Sequence, residues 1–163
     1  GPIIEKLALK GDRYKYKLPL PLTKVKNCNF SFSGLKTAAI DIIKKKRANK
    51  KFLENFCASF QYTVGEIFKK KIENSLDEMN YKGIKFKDFS ICGGVAANQY
   101  LNQLIKNFIT EKNINFHQVP LSLCTDNAAM IGWNAIELMH YGKLKLNNYN
   151  IRPTPNILIH ENF

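Results

Sequence analysis

The chain has 163 residues, 45% of them hydrophobic, and its 25 lysines and arginines outnumber 13 acids to give a formal charge of +12. This composition excludes a disordered tail, because enough apolar side chains are present to bury one core. No apolar run approaches the roughly 18 residues that a membrane span needs, so we expect a soluble protein.

The excess of positive charge has two explanations. It favours a polyanionic partner such as RNA or DNA, because a basic protein attracts phosphate groups. It also fits a general drift of composition, because lysine is accompanied by abundant asparagine and isoleucine. Composition alone leaves both open.

Four dispersed cysteines argue against a self-contained zinc site, because they form no Cys-x-x-Cys pair. Cys57 and Cys92 lie in apolar patterns and are predicted to be buried thiols.

The first part of the chain predicts two helices separated by extended segments. Residues 3–10 place apolar side chains on one helical face after Pro2. Residues 14–18 predict a short exposed strand or loop, and residues 29–34 predict a half-buried strand because Phe30 and Phe32 alternate with serines. A helical period follows from 35 to 47.

That second helix ends in the basic run Lys44-Lys-Lys-Arg47. Cations at a helix C-terminus offset the helix dipole, which favours a solvated helix end. Contact with an RNA backbone is the alternative.

Apolar side chains recur every three or four residues from Phe52 to Met79 and predict a long core helix. Its aromatic stripe indicates packing rather than base stacking, because stacking residues usually lie on an exposed sheet or loop.

A strand, a tight turn and a helix are predicted around Gly93 and Gly94. Phe89, Ile91 and Cys92 suit a buried strand, and a helical pattern starts directly after the glycines. Such a junction is a common binding site for phosphate, because the free backbone N–H groups of a helix N-terminus lie there. Asn98, one turn into the helix, would add an amide. The alternative is that the glycines only permit close packing of helix on sheet.

Residues 115–119 predict another strand, and a small-residue helix follows residue 124. Thr125 or Asp126 is its predicted N-cap, and Gly142 is predicted to end it. Residues 147–163 are expected to form an extended tail. Strands that alternate with helices make the fold class α/β.

Three stretches and the opening of the chain carry a resemblance to a known family. They are Phe30-Ser-Phe-Ser-Gly-Leu-Lys-Thr37, Cys92-Gly-Gly-Val-Ala-Ala-Asn98, Cys124-Thr-Asp-Asn-Ala-Ala-Met-Ile131 and the opening Gly1-Pro-Ile-Ile-Glu-Lys-Leu-Ala8. In this order and spacing they resemble the C-terminal half of the tRNA threonylcarbamoyladenosine transferases, once named O-sialoglycoprotein endopeptidases. We call them the four family-like stretches.

The resemblance implies an actin-like fold, related to sugar kinases and Hsp70, with the site between two α/β lobes. Residues 1–163 would be a single C-terminal lobe, helix-rich with a short mixed sheet. The implied activity transfers the threonylcarbamoyl group from threonylcarbamoyl-adenylate to N6 of the adenine next to the anticodon, in tRNAs that read codons beginning with A. The family resemblance also implies a cytoplasmic protein whose partners are tRNA, the family's inactive paralogue and a small ATPase.

Site residues follow from the same resemblance. Asn98 matches a residue that binds the adenylate, and Gly93 and Gly94 match a loop near its nucleotide part. Asp126 matches the carboxylate that joins two histidines in holding an iron or zinc ion. No catalytic side chain is assigned, because a metal ion would stabilise the oxyanion and no covalent intermediate is needed.

The chain departs from the family pattern in its histidines. The family's two histidine ligands form a His-x-x-x-His motif in the first lobe, and His117, His140 and His160 lack that spacing. The chain is therefore expected to hold half a site and to be inactive alone. The alternatives are an actin-like ATPase or sugar-kinase lobe, and a non-catalytic basic module that binds RNA or a partner.

Overall fold

The computed structural model describes residues 1–125 and 127–142. The chain divides after residue 125 into two units, which are treated separately below. The predicted tail at 147–163 and Asp126 both lie outside the described residues.

Three helices make up the first half of the first unit. They are α1 (Pro2–Ala8), α2 (Ser33–Lys45) and α3 (Lys50–Tyr81). The 32 residues of α3 confirm the helix predicted from the apolar stripe. It begins where the side chain of Asn49 accepts a hydrogen bond of 2.8 Å from the Phe52 amide, as an N-cap does.

The rest of the first unit is a strand–helix–strand arrangement. Strand β1 (Asp88–Ile91) leads into a 3₁₀ turn (Gly94–Ala97) and α4 (Gln99–Thr110), and β2 (Asn115–Gln118) follows. The two strands pair in parallel, with Phe89 opposite Phe116. The predicted α/β class is confirmed, but the pairing among the described residues is parallel and not mixed.

The second unit contains α5 (Ala128–His140). Its N-cap is Asn127, whose side chain accepts a hydrogen bond of 2.9 Å from the Met130 amide. The expectation of a cap at Thr125 or Asp126 was therefore wrong by one or two positions. The helix ends before Gly142, whose φ of +66° is the left-handed conformation expected after a helix.

Two predicted extended segments form no strand. Residues 14–18 form a loop, as one of the two expectations allowed. Phe30 and Phe32 precede α2 without strand pairing in the described part of the chain, and their rings stack on each other at 6.0 Å. Both also contact the ring of Phe68 on α3, at 5.2 and 6.4 Å. Their alternation reflects a shared neighbour and not a sheet.

The core lies along α3. Near its C-terminal half Ile72 and Leu76 pack with Ile105 and Ile109 of α4, and the strands close this cluster from the side. Near its N-terminus the rings of Phe52 and Phe56 are buried and stacked at 5.8 Å. The part of the aromatic stripe formed by Phe52 and Phe56 is therefore packing, as predicted.

A buried lysine on α3 holds the loop before α2, which the sequence did not indicate. Lys71 is 1% exposed and donates hydrogen bonds to the carbonyls of Leu22 (2.8 Å) and Asn27 (2.9 Å) and to the Asn27 side-chain oxygen (2.9 Å). Leu22 has a φ of +56°, a strained value for a leucine. The ammonium group offsets that strain by fixing the loop that leads to Phe32.

Cys57 is buried, as predicted, and burial raises the pKa of its thiol. Cys92 is exposed, so that prediction was wrong. It directly follows Ile91, and alternation along an extended chain turns its side chain away from the core face that Phe89 and Ile91 share. None of the helices in the described ranges has the length and apolar character to cross a membrane.

Candidate functional site

The turn after β1 depends on glycine at one position. Gly93 has a φ of +89°, which side-chain-bearing residues rarely adopt. A Cβ atom on Gly93 or Gly94 would meet no atom of the described chain within 4 Å. Close packing of helix on sheet is therefore not the reason for these glycines. They shape the turn and leave open space above it.

Asn98 is the N-cap of α4. Two backbone hydrogen bonds close the 3₁₀ turn before it. The Ala96 N–H donates to the Gly93 carbonyl at 2.9 Å, and the Asn98 backbone N–H donates to the Val95 carbonyl at 3.0 Å. Helix α4 begins only after this turn. The Asn98 side-chain oxygen accepts a hydrogen bond of 2.9 Å from the Leu101 amide. The predictions that a helix starts directly after the glycines and that Asn98 lies one turn inside it were wrong, because asparagine favours the cap.

A carboxylate of the protein already occupies the N-terminus of α4. The Gln99 amide donates to Glu5 Oε1 on α1 at 2.7 Å. Together with the Asn98 cap, this bond satisfies two of the free N–H groups that an anion would use. The helix N-terminus therefore offers less to an external phosphate than the sequence predicted.

The amide nitrogen of Asn98 links α4 to α3. It donates to Gln61 Oε1 at 3.0 Å, and the Gln61 side chain is buried. Asn98 thus uses its oxygen for the cap and one N–H for Gln61, which leaves a second N–H on its amide.

A cavity of about 560 Å³ opens beside these groups. Its walls come from the start of the chain, the residue before α2, the middle of α3 and the 3₁₀ turn. Apolar side chains dominate, and three polar side chains join them. The apolar lining includes Pro2, Ile4, Phe32, Phe60, Val64, Phe68, Val95 and Leu101, and the polar side chains are Glu5, Gln61 and Asn98.

Three of the four family-like stretches meet at this cavity. The opening stretch contributes Glu5, the stretch at residues 30–37 contributes Phe32, and the stretch at residues 92–98 contributes Gly94 and Asn98. Gly93 lies next to Gly94 in the chain but does not itself line the cavity. Mostly apolar walls with few polar groups, and a volume within roughly 300–1,000 Å³, are typical of small-molecule sites.

The described residues do not fit a metal ion. No group of three His, Cys, Asp or Glu side chains in residues 1–125 and 127–142 is arranged to hold one. The Nε2 atom of His117 lies 2.7 Å from Asp88 Oδ1, and Asn115 contacts the same oxygen at 3.1 Å. The bond with His117 lowers the pKa of Asp88. Both side chains are exposed, and the pair is a contact between strands β1 and β2. Asp126 lies outside the described residues.

A family profile described as tRNA N6-adenosine threonylcarbamoyltransferase matches residues 1–133, which is most of the chain. The chain belongs to this family.

Curated relatives agree and show that the chain corresponds to part of the family protein. The tRNA N6-adenosine threonylcarbamoyltransferase of Wolbachia sp. subsp. Brugia malayi (strain TRS) is 40% identical over 95% of this chain and 45% of its own length. That of Orientia tsutsugamushi (strain Ikeda) is 46% identical over 86% of the chain and 43% of its own length. The chain therefore spans less than half the length of these relatives, in agreement with the C-terminal lobe that we expected.

Sequence reasoning missed Glu5 and Gln61. Glu5 lies inside a family-like stretch, so its place at the site had a signal. Gln61 had none, because a polar residue on an amphipathic helix usually faces solvent. Its burial depends on Asn98, a partner 37 positions away.

Proposed function

We propose that this chain supplies part of the substrate site of an enzyme that transfers the threonylcarbamoyl group from threonylcarbamoyl-adenylate to N6 of adenine. The acceptor adenine is the one next to the anticodon in tRNAs that read codons beginning with A. The observation that carries the proposal is the meeting of three family-like stretches at one cavity.

The cavity suits the adenylate. Phe32, Phe60 and Phe68 provide flat apolar surface for a purine ring. The side-chain amide of Asn98 has a second N–H that can donate to the ligand. The open turn at Gly93 and Gly94 lets the backbone approach the ligand without a side chain between them. We propose Asn98, Gly93 and Gly94 as its binding residues.

The reaction requires positioning more than a covalent intermediate. The N6 nitrogen attacks the carbamoyl carbonyl carbon, a C–N bond forms, the C–O bond to phosphate breaks, and AMP leaves while N6 loses a proton. This chain's residues would hold the adenylate so that its carbonyl faces the tRNA. No step is derived through a metal ion, because the described residues do not fit one.

The rest of the enzyme is proposed to come from outside this chain. Asp126 would be one ligand of an iron or zinc ion, and the histidine ligands would come from the remaining part of the protein. The isolated chain is proposed to be inactive for the same reason. tRNA, the inactive paralogue and the small ATPase remain the proposed partners of the whole protein, which would act in the cytoplasm.

A chimera tests the proposal. This chain would replace the matching 45% of the Wolbachia relative. The chimera would then be incubated with threonylcarbamoyl-adenylate, unmodified tRNA and the bacterial partner proteins. Chromatography of the digested tRNA should show threonylcarbamoyladenosine.

Two variants of the chimera provide the matched comparison. Asn98→Ala should lower product formation, and Asn107→Ala on the same helix but outside the cavity should not. A folded chimera that makes no product would overturn the proposal.

A further inference from the structure

Six cations and no acid lie within residues 44–51. All six are exposed, and they surround the junction of α2 and α3. We call them the basic cluster: Lys44, Lys45, Lys46, Arg47, Lys50 and Lys51.

The protein itself hardly neutralises this charge. In the described part of the chain, Lys51 forms the cluster's one ion pair, with Glu54 at 3.9 Å. Asp41, the nearest acid in α2, pairs with none of them. Elsewhere on α3 a lysine is more closely paired, since the Lys70 Nζ atom lies 2.6 Å from Glu73 Oε2. The basic cluster is therefore a concentrated source of positive potential.

Two packed helices hold the cluster in place. α2 ends at Lys45, Lys46 is extended with φ −121° and ψ 138°, and α3 begins at Lys50 behind its Asn49 cap. Ala39 of α2 and Phe52 of α3 are buried in one apolar cluster on either side of this link. Because the backbone here is fixed, the segment that carries these cations loses less conformational entropy when it binds a polyanion.

Further cations lie beside the cluster. The Lys51 ammonium donates to the Lys10 carbonyl at 3.4 Å. The Tyr16 ring lies 5.6 Å from that of Phe52, and exposed Lys15 and Lys17 flank it. The positive surface thus extends from the α2–α3 junction onto the loop after α1.

Helix dipoles do not explain the cluster. Lys44 and Lys45 lie in the last turn of α2, where cations offset the dipole. Lys50 and Lys51 open α3, where the dipole is positive and cations are unfavourable. The contacts of Lys51 with Glu54 and the Lys10 carbonyl offset this cost for Lys51. The helix dipole therefore gives no reason for a cation at position 50.

We propose that the basic cluster binds the sugar-phosphate backbone of tRNA. The inference rests on the proposed function, which makes tRNA the substrate. Phosphates suit several clustered and unpaired cations, because each contact releases a counterion. Such contacts carry no sequence information, so the cluster would position any tRNA rather than select one.

The test uses this chain and two triple variants that each lower its net charge by three. Lys46→Gln/Arg47→Gln/Lys50→Gln changes the basic cluster. Lys85→Gln/Lys87→Gln/Lys106→Gln removes three exposed cations elsewhere. Binding to an unmodified tRNA would be measured by fluorescence anisotropy over a series of salt concentrations, and circular dichroism would verify folding.

In the cluster variant, the negative slope of log K against log salt concentration should become shallower by about 2–3. The affinity at about 0.1 M salt should fall at least roughly tenfold. The matched control should change the affinity less than about threefold. The charge-preserving Lys46→Arg/Lys50→Arg variant should bind like the unchanged chain. A tRNA that reads codons not beginning with A should show the same losses.

Other results would overturn the proposal. They are equal losses in both triple variants, no binding of tRNA by the unchanged chain, and tighter binding to phosphatidylserine vesicles or heparin than to tRNA. The modification assay with the chimera is a separate readout. Product formation by a chimera whose cluster does not bind tRNA would remove this inference alone, and tRNA binding without product formation would remove the proposed function alone.

Discussion

Replacement of Asn98 separates its structural role from its proposed binding role. The Asn98 oxygen caps α4 at Leu101, and its nitrogen donates to Gln61. Asn98→Ala removes both contacts and also the amide that faces the cavity. Asn98→Asp keeps the capping oxygen but has no N–H to donate.

The cost to stability follows from these two contacts. Loss of an N-cap costs about 0.5–2 kcal/mol, and loss of one hydrogen bond costs about 0.5–1.5 kcal/mol. Asn98→Ala should therefore lower the free energy of unfolding by about 1–3 kcal/mol, which leaves most small domains folded. In a chain of this size the midpoint of thermal unfolding should fall by about 3–10 °C.

Asn98→Asp should behave differently because aspartate is as good an N-cap as asparagine. Rotation of the Gln61 amide would let its NH₂ donate to the new carboxylate, so the unfolding midpoint should fall by less than about 3 °C. Affinity for the adenylate should still fall by a factor of about 5–150, because a carboxylate cannot donate to the ligand and repels its phosphate.

Differential scanning calorimetry of the chain and calorimetric titration of the chimera with a stable adenylate analogue measure the two effects. Asn107→Ala serves as the control on the same helix. An aspartate variant as unstable as the alanine variant would refute the capping argument. Unchanged affinity in both Asn98 variants would return Asn98 to a purely structural role.

Three further predictions concern the site and its completeness. The isolated chain should form no threonylcarbamoyladenosine from purified adenylate and tRNA, and appearance of that nucleoside would contradict the half-site account. Gly93→Val should lower adenylate affinity of the chimera more than Lys44→Ala does, because a β-branched residue resists the φ of +89° and fills the open turn; equal affinities would show that the turn is not part of the site. Asp126→Ala should remove bound iron or zinc and activity together from the chimera, and elemental analysis that finds full metal occupancy would exclude Asp126 as a ligand.

Local pattern predicted the helices well. The apolar stripe of α3 and the helical period of α2 depend on side chains three or four positions apart, which the sequence displays directly. The turn at Gly93 was also predictable, because a positive φ at a strand end favours glycine.

Contacts between distant residues were not predictable. Lys71 is buried because carbonyls of residues 22 and 27 surround it, and nothing near Lys71 in the sequence indicates this. The bond between Glu5 and Gln99 joins residues 94 positions apart. Asn98 was placed inside the helix because the 3₁₀ turn before α4 cannot be distinguished from a first helical turn by spacing alone.

A crystal structure of the chimera with a stable threonylcarbamoyl-adenylate analogue tests the central claim most directly. The account predicts that the adenine lies in the cavity between α1, α3 and the 3₁₀ turn, against Phe32 and Phe68, with the Asn98 amide within about 3 Å of the ligand. An analogue bound elsewhere while this cavity stays empty would contradict it.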